Sequence, residues 1–351
     1  MYFNSIMNKI HFKRSSLILL LFSFTACQAP EQQSGWTGTT MGTTYQVKVA
    51  HVTLSDKDVA LLKMEVDSVL VEVNRQMSTY DPGSEISRFN DYSGTDPYRV
   101  SADFVNVVNE SKAVYRQSNG AFEITIAPLV NLWGFGKKGP RFTPPSDSEI
   151  DAELKRVGSD LLETVNGSFL QKKKASVQVD LSAIAKGFGV DKVAAYLDLK
   201  SFADYMVEIG GEVVARGKNA KNDSWKIGID SPGFGNLPGQ DLKAILALDN
   251  VAVATSGDYR NYFEYEGQIF SHTIDPRTGK PVTHHLASAT IIAKNCMEAD
   301  ALATTVMVMG REKGLTLIES LPGIEAFLIE RIGRDKFEIY QSSGFGKFLF
   351  Q

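Results

Sequence analysis

The stretch DYMVEIGGEVVAR, residues 204–216, opens a part of the chain in which strand-like segments follow one another. A helix is predicted immediately before it, from about residue 182 to 199. Because the later strands are not separated from one another by regular helices, this order favours an α+β fold over a regular βαβ array. We therefore expect a single compact domain with mixed β-sheets and flanking helices. Further strand-like segments lie at 224–230, 243–254, 262–274, 287–293 and around 325–341.

Capping and turn residues indicate the elements of the remaining chain. Ser55 or Asp56 precedes apolar residues at helical spacing, and a second helix is predicted from Ser101 to Asn119, ended by Gly120. Asn166-Gly167 is typical of a tight hairpin turn. The other expected elements are a strand from Thr44 to Ala50, a helix over residues 147–157 and a helix that begins near Met297.

The composition is that of an ordinary globular protein and argues against nucleic-acid binding. The chain has 351 residues, of which 43% are apolar and 22% charged, and its formal net charge is −4. Nucleic-acid binding requires clustered Lys and Arg to neutralise phosphates. The one basic cluster, Lys172-Lys173-Lys174, is interpreted as a solvated turn between strands.

The first residues indicate export and lipid anchoring. Lys9, Lys13 and Arg14 precede an apolar run over residues 17–24 that is too short to span a bilayer. Thr25-Ala26-Cys27 then resembles a lipobox, in which Cys27 becomes the lipidated first residue. A plain signal peptide with an incidental Cys27 is the alternative.

This interpretation sets the expected domain organisation. We expect a lipoprotein signal peptide over 1–26, a tether over 27–36 and the folded domain over 37–351. The protein would then be lipid-anchored to a membrane of the cell envelope and face the periplasm. Since Cys296 is the only other cysteine, we expect no disulfide.

Asp180 and Lys186 stand where a predicted strand passes into a helix, in Val179-Asp180-Leu181-Ser182-Ala183-Ile184-Ala185-Lys186. A helix N-terminus favours anions, and Lys186 can add a positive charge beside a phosphate. Asp180 can accept a hydrogen bond from a ring N–H or a ribose hydroxyl. The alternative is that Asp180 only caps the helix and Lys186 is solvated. The glycine-rich run and Lys-Ser/Thr pair of a Walker loop are missing.

Two further segments carry chemistry in the C-terminal half. His272 ends a strand just before the turn at Asp275-Pro276, and Asp300 and Thr304 lie at i and i+4 on one face of a predicted helix. A carboxylate with a hydroxyl suits a hard cation such as Mg²⁺ rather than zinc. The alternative is that Asp300 only interacts with the helix dipole.

Three weaker segments contain residues that could wall a ligand site. Met41 lies among small residues in Gly38-Thr39-Thr40-Met41-Gly42-Thr43, and Tyr80 lies on a loop before a Pro-Gly turn. Aromatic residues also recur among glycines in Gly120-Ala121-Phe122-Glu123 and in Trp133-Gly134-Phe135-Gly136. The alternatives are a strand entry with turn residues for the Met41 segment, which that segment alone favours, a surface tyrosine in a turn for Tyr80, and core packing for the aromatic residues.

Taken together, these segments resemble the ApbE family, the FAD:protein FMN transferases, which are commonly lipoproteins of the bacterial cell envelope. The resemblance runs from about Gly38 to the C-terminal strands. Its most specific pieces are Thr40-Met41-Gly42-Thr43, PLVNLWGFG over residues 128–136, TSGDYRNY over 255–262 and HTIDPRTG over 272–279.

The resemblance implies roles for individual residues. The implied FAD site consists of Met41, Tyr80, Ala121, Phe122, Glu123, Asp180, Lys186 and Ile274. The implied Mg²⁺ site consists of Asp300, Thr304 and the backbone carbonyl of Ala183. Glu123 stands where many members have Asp, and Ser182-Ala183 stands where many have Gly-Gly, which leaves a carbonyl ligand possible.

The resemblance also implies a reaction. FMN would pass from FAD to a Ser or Thr hydroxyl of an acceptor protein in an envelope electron-transfer complex, with release of AMP. His272 is the candidate base, since imidazole titrates near neutral pH. Two alternatives stay open: an FAD pyrophosphatase that gives FMN and AMP, and a flavin-binding lipoprotein without catalysis.

Overall fold

The computed structural model describes residues 32–233, 239–258, 261–333 and 336–350. In these ranges the helices are α1 Asp56–Met77, α2 Glu85–Asp91, α3 Ala102–Gln117, α4 Ala127–Leu132, α5 Asp147–Leu154, α6 Ala185–Leu199, α7 Cys296–Met309 and α8 Arg311–Glu319. The strands are β1 Gln33–Thr40, β2 Thr43–Ala50, β3 Tyr98–Arg99, β4 Leu162–Val165, β5 Phe169–Lys172, β6 Tyr205–Ile209, β7 Glu212–Arg216, β8 Trp225–Asp230, β9 Leu242–Leu248, β10 Val251–Gly257, β11 Tyr262–Tyr265, β12 Gln268–Ser271, β13 Ile274–Asp275, β14 Lys280–Pro281, β15 Leu286–Ala293, β16 Glu325–Gly333 and β17 Lys336–Gln341.

An eight-stranded sheet with the order β1-β2-β6-β7-β10-β15-β16-β17 forms the centre of the fold. The predicted α+β class is confirmed. Every strand pair in the described ranges is antiparallel, whereas the sequence analysis predicts mixed sheets. Short turns, such as Gly210-Gly211 between β6 and β7, join some of these neighbours directly and make them antiparallel.

The central sheet buries both of its faces. Along β10, Ala252 and Ala254 pack with the helices, whereas Val253 packs on the opposite face with Trp225 and Leu246. All eight residues of β15 are buried, as expected of a strand with cover on both sides. The helical face carries α6 and α7, which hold much of the functional site.

Several predicted boundaries match the structure. Ser55 forms a capping box with Asp58 at the start of α1, and Ser101 caps α3. Asn166 and Gly167 have φ values of 48° and 65° and join β4 to β5, as a tight hairpin turn requires. The helix predicted from about residue 182 begins at Ala185, because residues 182–184 form a turn.

Two sequence interpretations need correction. Residues 33–36, assigned to the tether, form the start of β1, and Trp36 is buried against the helices. Lys172 is not solvated: its ammonium donates to the backbone carbonyls of Asn90 (3.1 Å) and Tyr92 (2.9 Å) and lies 4.8 Å from the centre of the Phe89 ring. The two carbonyl oxygens and the face of the Phe89 ring together compensate for the burial of the Lys172 charge.

The predicted signal peptide and Cys27 lie outside the described residues. Within the described ranges, none of the helices has the length and apolar composition that a membrane-spanning helix needs.

Candidate functional site

A cleft of about 380 Å³ lies beside the N-terminal end of α6, where chain segments distant in sequence meet. Eleven of the twelve residues that the sequence analysis assigns to the flavin, the cation or catalysis line this cleft; Met41 does not. The lining includes Tyr80, Ala121, Phe122, Glu123, Asp180, Ala183, Lys186, His272, Ile274, Asp300 and Thr304, together with Glu212, Ser256 and Asn261.

The close contact between α6 and α7 brings two groups of these residues together. Gly187 of α6 faces α7 so closely that a Cβ at this position would collide with the carbonyl oxygen of Cys296. The half-buried carboxylate of Asp191 on α6 accepts hydrogen bonds from the backbone N–H groups of Cys296 (2.9 Å) and Met297 (2.8 Å). A carboxylate is favourable at a helix N-terminus, so Asp191 fixes α7 against α6.

Three charged side chains meet in the lining of the cleft. The ammonium of Lys186 forms an ion pair with Glu212 and lies 3.8 Å from Oδ1 of Asp300. Glu212 is 1% exposed and Asp300 is 2% exposed. Oδ2 of Asp300 accepts a hydrogen bond from the backbone N–H of Gly187 at 2.9 Å. One ammonium therefore faces two buried carboxylates.

This imbalance of charge shifts the pKa values of the pair. Burial raises the pKa of Glu212 to about 8, with the negative charge of Asp300 adding to the effect and Lys186 opposing it. For Lys186, burial acts to lower the pKa, but the carboxylates of Asp300 and Glu212 outweigh burial and raise it. The cluster thus favours binding of additional positive charge.

Glu212 is a buried charged residue in the lining of the cleft that was not among the residues predicted from the sequence. It is the first residue of β7, directly after the Gly210-Gly211 turn, and Val213, Val214 and Ala215 follow it in the same buried strand. A lone carboxylate at the start of such an apolar strand is a usable sequence signal, because charged residues are rarely buried unless they are paired.

The oxygen atoms proposed for the cation fit a hard metal ion. Thr304 lies one helical turn after Asp300 on α7, and its hydroxyl is 3.2 Å from that of Ser256. Ala183 lies in the turn before α6 and lines the same cleft. A carboxylate, a hydroxyl and a carbonyl are ligands that suit Mg²⁺. The described residues contain no group of three His, Cys, Asp or Glu side chains that could hold a metal ion.

Asp180 is held at the cleft by a side chain from another element. Asn90 at the end of α2 accepts from the N–H of Val179 (2.7 Å) and donates to its carbonyl (2.8 Å), as a neighbouring strand would. The backbone N–H of Asp180 donates to Ile124, and its carboxylate accepts from the N–H of Ser182 at 2.8 Å. This turn presents Asp180 beside Lys186 and Ala183 in the lining.

Two of the residues implied for the flavin differ greatly in exposure. Tyr80 is 71% exposed at the rim, where its ring is free to stack on a planar ligand. Glu123 is buried, and its Oε1 accepts from both the backbone N–H and the hydroxyl of Thr125 at 2.8 Å. Burial raises the pKa of Glu123, while the hydrogen bonds from Thr125 oppose that shift.

His272 has a defined orientation on the side of the cleft formed by β12 and β13. Its Nδ1 lies 2.9 Å from the backbone carbonyl of Asn261, and the ring of Phe135 packs edge-on against it at 6.3 Å between centres. Because a carbonyl only accepts, Nδ1 carries the proton and Nε2 keeps its lone pair. Burial lowers the pKa of His272 and keeps the ring neutral, although the Asn261 carbonyl opposes the shift.

Met41 does not line the cleft. It occupies the Met41-Gly42 turn between β1 and β2 with a φ of 49°, an unusual conformation for a residue with a side chain. Its side chain packs with both helix-side hydrophobic clusters and faces Gly189 of α6, where a Cβ would lie 2.8 Å from the Met41 methyl group. Met41 therefore packs against α6 at Gly189, where the absence of a side chain leaves room for the Met41 methyl group.

The family motifs are divided between lining and core. Phe135 lines the cleft, whereas Trp133 is buried and its indole N–H donates to the carbonyl of Gly279 at 2.8 Å. Thr255 and Ser256 of the TSGDYRNY segment line the cleft, and residues 259–260 of that segment lie outside the described ranges.

Comparison with known proteins gives a consistent result. The model of the ApbE family matches residues 41–328. The FAD:protein FMN transferase of Vibrio cholerae serotype O1 is 42% identical over 336 residues, covering 95% of this chain and 97% of that relative. The Haemophilus influenzae protein of the same name is 39% identical over 339 residues, covering 94% of this chain and 95% of that relative.

Solved structures agree with the sequence relatives. The flavin transferase ApbE from Vibrio cholerae superposes with a TM-score of 0.80 at 40% identity, covering 91% of this chain and 99% of that structure. The apo form of the Pseudomonas stutzeri flavinyl transferase ApbE gives a TM-score of 0.81 at 37% identity, covering 90% and 96%. This chain belongs to the ApbE family.

The charge cluster predicts a pH-dependent loss of stability when its lysine is removed. In Lys186→Met, Glu212 and Asp300 lose their cation, so the free energy of unfolding should fall at about pH 8 by about 2–4 kcal/mol. This is below the range for a fully buried pair, since the Lys186 side chain is 31% exposed. Burial raises the pKa of Glu212, so this carboxyl is protonated at about pH 5 and loses less when its cation is removed; the deficit should therefore shrink at that pH.

Lys192→Met on the same helix is the matched control. Lys192 pairs with Asp103 at 3.1 Å, and the two side chains are 38% and 28% exposed. A pair this accessible should contribute at most about 1 kcal/mol. Urea denaturation of both variants at the two pH values, without FAD or Mg²⁺, measures the difference. Equal losses in the two variants, or a Lys186→Met loss independent of pH, would contradict this account.

Proposed function

We propose that this chain, as a member of the ApbE family, is an FAD:protein FMN transferase that uses Mg²⁺ and releases AMP. The acceptor is a Ser or Thr hydroxyl of another protein, and the product is a phosphoester-linked flavin. The observation that supports the proposal is that one cleft contains the imidazole of His272 with Nδ1 bound to a carbonyl, the ammonium of Lys186 in the first turn of α6, and the carboxylate and hydroxyl of Asp300 and Thr304. The sequence relatives named above support the assignment.

The reaction exchanges one P–O bond for another. The acceptor hydroxyl oxygen attacks the phosphorus on the FMN side of the pyrophosphate, and the bond from that phosphorus to the bridging oxygen breaks. AMP leaves with the bridging oxygen. The hydroxyl proton passes to Nε2 of His272, which the Asn261 carbonyl keeps oriented through Nδ1.

The charged residues of the cleft bind the pyrophosphate. Lys186 supplies a positive charge from the first turn of α6, where the helix N-terminus also favours anions. Asp300, Thr304 and the carbonyl of Ala183 are the residues that would hold Mg²⁺. When bound, the cation neutralises phosphate charge and stabilises the leaving group.

The flavin end is bound by the apolar and aromatic part of the lining. Tyr80 at the rim and Phe122 and Ile274 in the wall offer surfaces to the isoalloxazine or adenine ring, and Asp180 accepts a hydrogen bond from a ring N–H or ribose hydroxyl. These contacts orient FAD without taking part in proton transfer.

An FAD pyrophosphatase would use the same cleft with water as the nucleophile. A storage protein would need neither a base nor cation ligands, so the convergence of His272, Asp300 and Thr304 in one cleft favours catalysis. The direct test is to incubate the purified protein with FAD, Mg²⁺ and an envelope extract, and to image a denaturing gel for flavin fluorescence. A fluorescent band other than the enzyme supports transfer, and its absence contradicts it.

Removal of the cation-binding carboxylate should separate binding from reaction. Asp300→Ala should abolish AMP release and leave FAD binding measurable, because Asp300 is the one formal negative charge in the proposed ligand set. Excess EDTA should have the same effect on the wild type. Glu298→Ala, on the same helix and outside the lining of the cleft, is the control and should keep its activity. Full activity in excess EDTA would remove the cation from the mechanism.

Removal of the base should slow transfer far more than it weakens binding. His272→Ala should reduce the single-turnover rate of acceptor labelling by about 10²-fold or more. The FAD dissociation constant, measured by fluorescence quenching, should change little. Because burial lowers the pKa of His272, the wild-type rate should stay constant through about pH 6.5 and fall only at lower pH. If binding and labelling decline equally and the pH profile is flat, His272 is a ligand contact and not the base.

We also propose that the protein is anchored to the cell envelope through a lipidated Cys27, where electron-transfer complexes provide acceptor proteins. Cys27→Ser should convert a membrane-bound protein into a soluble exported one, because the lipid is the only anchor proposed. Fractionation with a high-salt wash measures this, with Cys296→Ser as the matched control. A Cys27→Ser protein that stays with washed membranes would show that another anchor exists.

A further inference from the structure

Glu212 contacts Lys186 and is buried as completely as Asp300, yet the proposed reaction gives it no part. Its Oε1 holds the ammonium of Lys186, and its Oε2 is buried without a hydrogen-bond partner among the described residues. β7 is a central strand between β6 and β10, so its first residue has little freedom to move. The position of Glu212 therefore fixes the position of the Lys186 ammonium.

Lys186 and the proposed cation compete for one oxygen atom. Oδ2 of Asp300 already accepts the hydrogen bond from Gly187, which leaves Oδ1 as the freer oxygen. The ammonium of Lys186 lies 3.8 Å from Oδ1, at the limit of an ion pair, and is closer to Glu212. Two positive charges on Oδ1 would repel each other strongly inside a buried site.

We propose that Glu212 is a positioning residue that draws Lys186 away from Oδ1 of Asp300 and thereby leaves this oxygen to Mg²⁺. Without that contact, the Lys186 ammonium pairs with Asp300, whose Oδ1 already lies 3.8 Å away, and it then occupies the cation position. The inference rests on the proposed cation site. It adds that the affinity for the cation depends on a residue that does not touch the cation.

A shorter carboxylate at position 212 distinguishes a positioning role of Glu212 from a simple effect of its negative charge. Glu212→Asp keeps the negative charge, but the carboxylate is one methylene too short to hold Lys186. The Mg²⁺ dissociation constant, measured by isothermal titration of the purified protein with Mg²⁺ alone, should rise by about tenfold. Adding Lys186→Met to this variant removes the competing ammonium and should restore wild-type affinity or better. A purely structural role for Glu212 predicts no such rescue.

Glu208→Asp is the matched control. It makes the same change on the other strand of the hairpin, and Glu208 is outside the lining of the cleft, so its dissociation constant should stay within about twofold of the wild type. Thermal unfolding confirms that each variant is folded. If Glu212→Asp does not fold, Glu212→Gln replaces it, because the neutral amide cannot form the ion pair and also releases Lys186 to Asp300, again with rescue by Lys186→Met.

The outcomes distinguish this inference from the proposed function. Wild-type affinity in the Glu212 variant, or a double variant as weak as the single one, overturns the positioning role while the cation site stands. A wild-type protein that binds no Mg²⁺ overturns the cation site and this inference together.

Discussion

The site depends on how closely α6 and α7 approach each other. Gly187 has no side chain, so it does not hold the two helices apart. The carboxylate of Asp191 on α6 accepts hydrogen bonds from the first two backbone N–H groups of α7. The same contact gives Asp300 a hydrogen bond from the backbone of α6. Ala183 and Lys186 therefore line the same cleft as Asp300 and Thr304, although more than a hundred residues separate the two pairs in sequence.

The electrostatics of the cleft follow from this packing. Two buried carboxylates share one ammonium. Burial of a negative charge that is not fully paired lowers the stability of the folded protein. A bound cation and a bound pyrophosphate carry opposite charges, so each compensates for the other and for the cluster. His272 stands apart from these charges as a neutral ring whose orientation is set by a backbone carbonyl. Charge stabilisation and proton transfer are thus assigned to different walls of one cleft.

The sequence predicts what local rules control. Ser55 and Ser101 cap their helices, and Asn166-Gly167 turns the hairpin, because each choice depends on a few neighbouring residues. The segments that carry the site stand out in the sequence and the resemblance implies the roles of their residues; the structure brings all of these residues except Met41 into one cleft. The burial of Glu212 and of Lys172 was not predicted, because the groups that these side chains contact are distant in sequence. The packing of Met41 against α6 was not predicted for a similar reason, because Gly189 on another element provides the room for its side chain.

The central claim is that the flavin is transferred and not simply released by hydrolysis. The direct measurement is a mass balance with the purified protein, FAD, Mg²⁺ and a purified acceptor protein, in which AMP, free FMN and acceptor-bound flavin are quantified together. The account predicts one AMP for each FMN attached to the acceptor, with the flavin on a Ser or Thr by mass spectrometry. AMP accompanied by an equal amount of free FMN and an unmodified acceptor would contradict it.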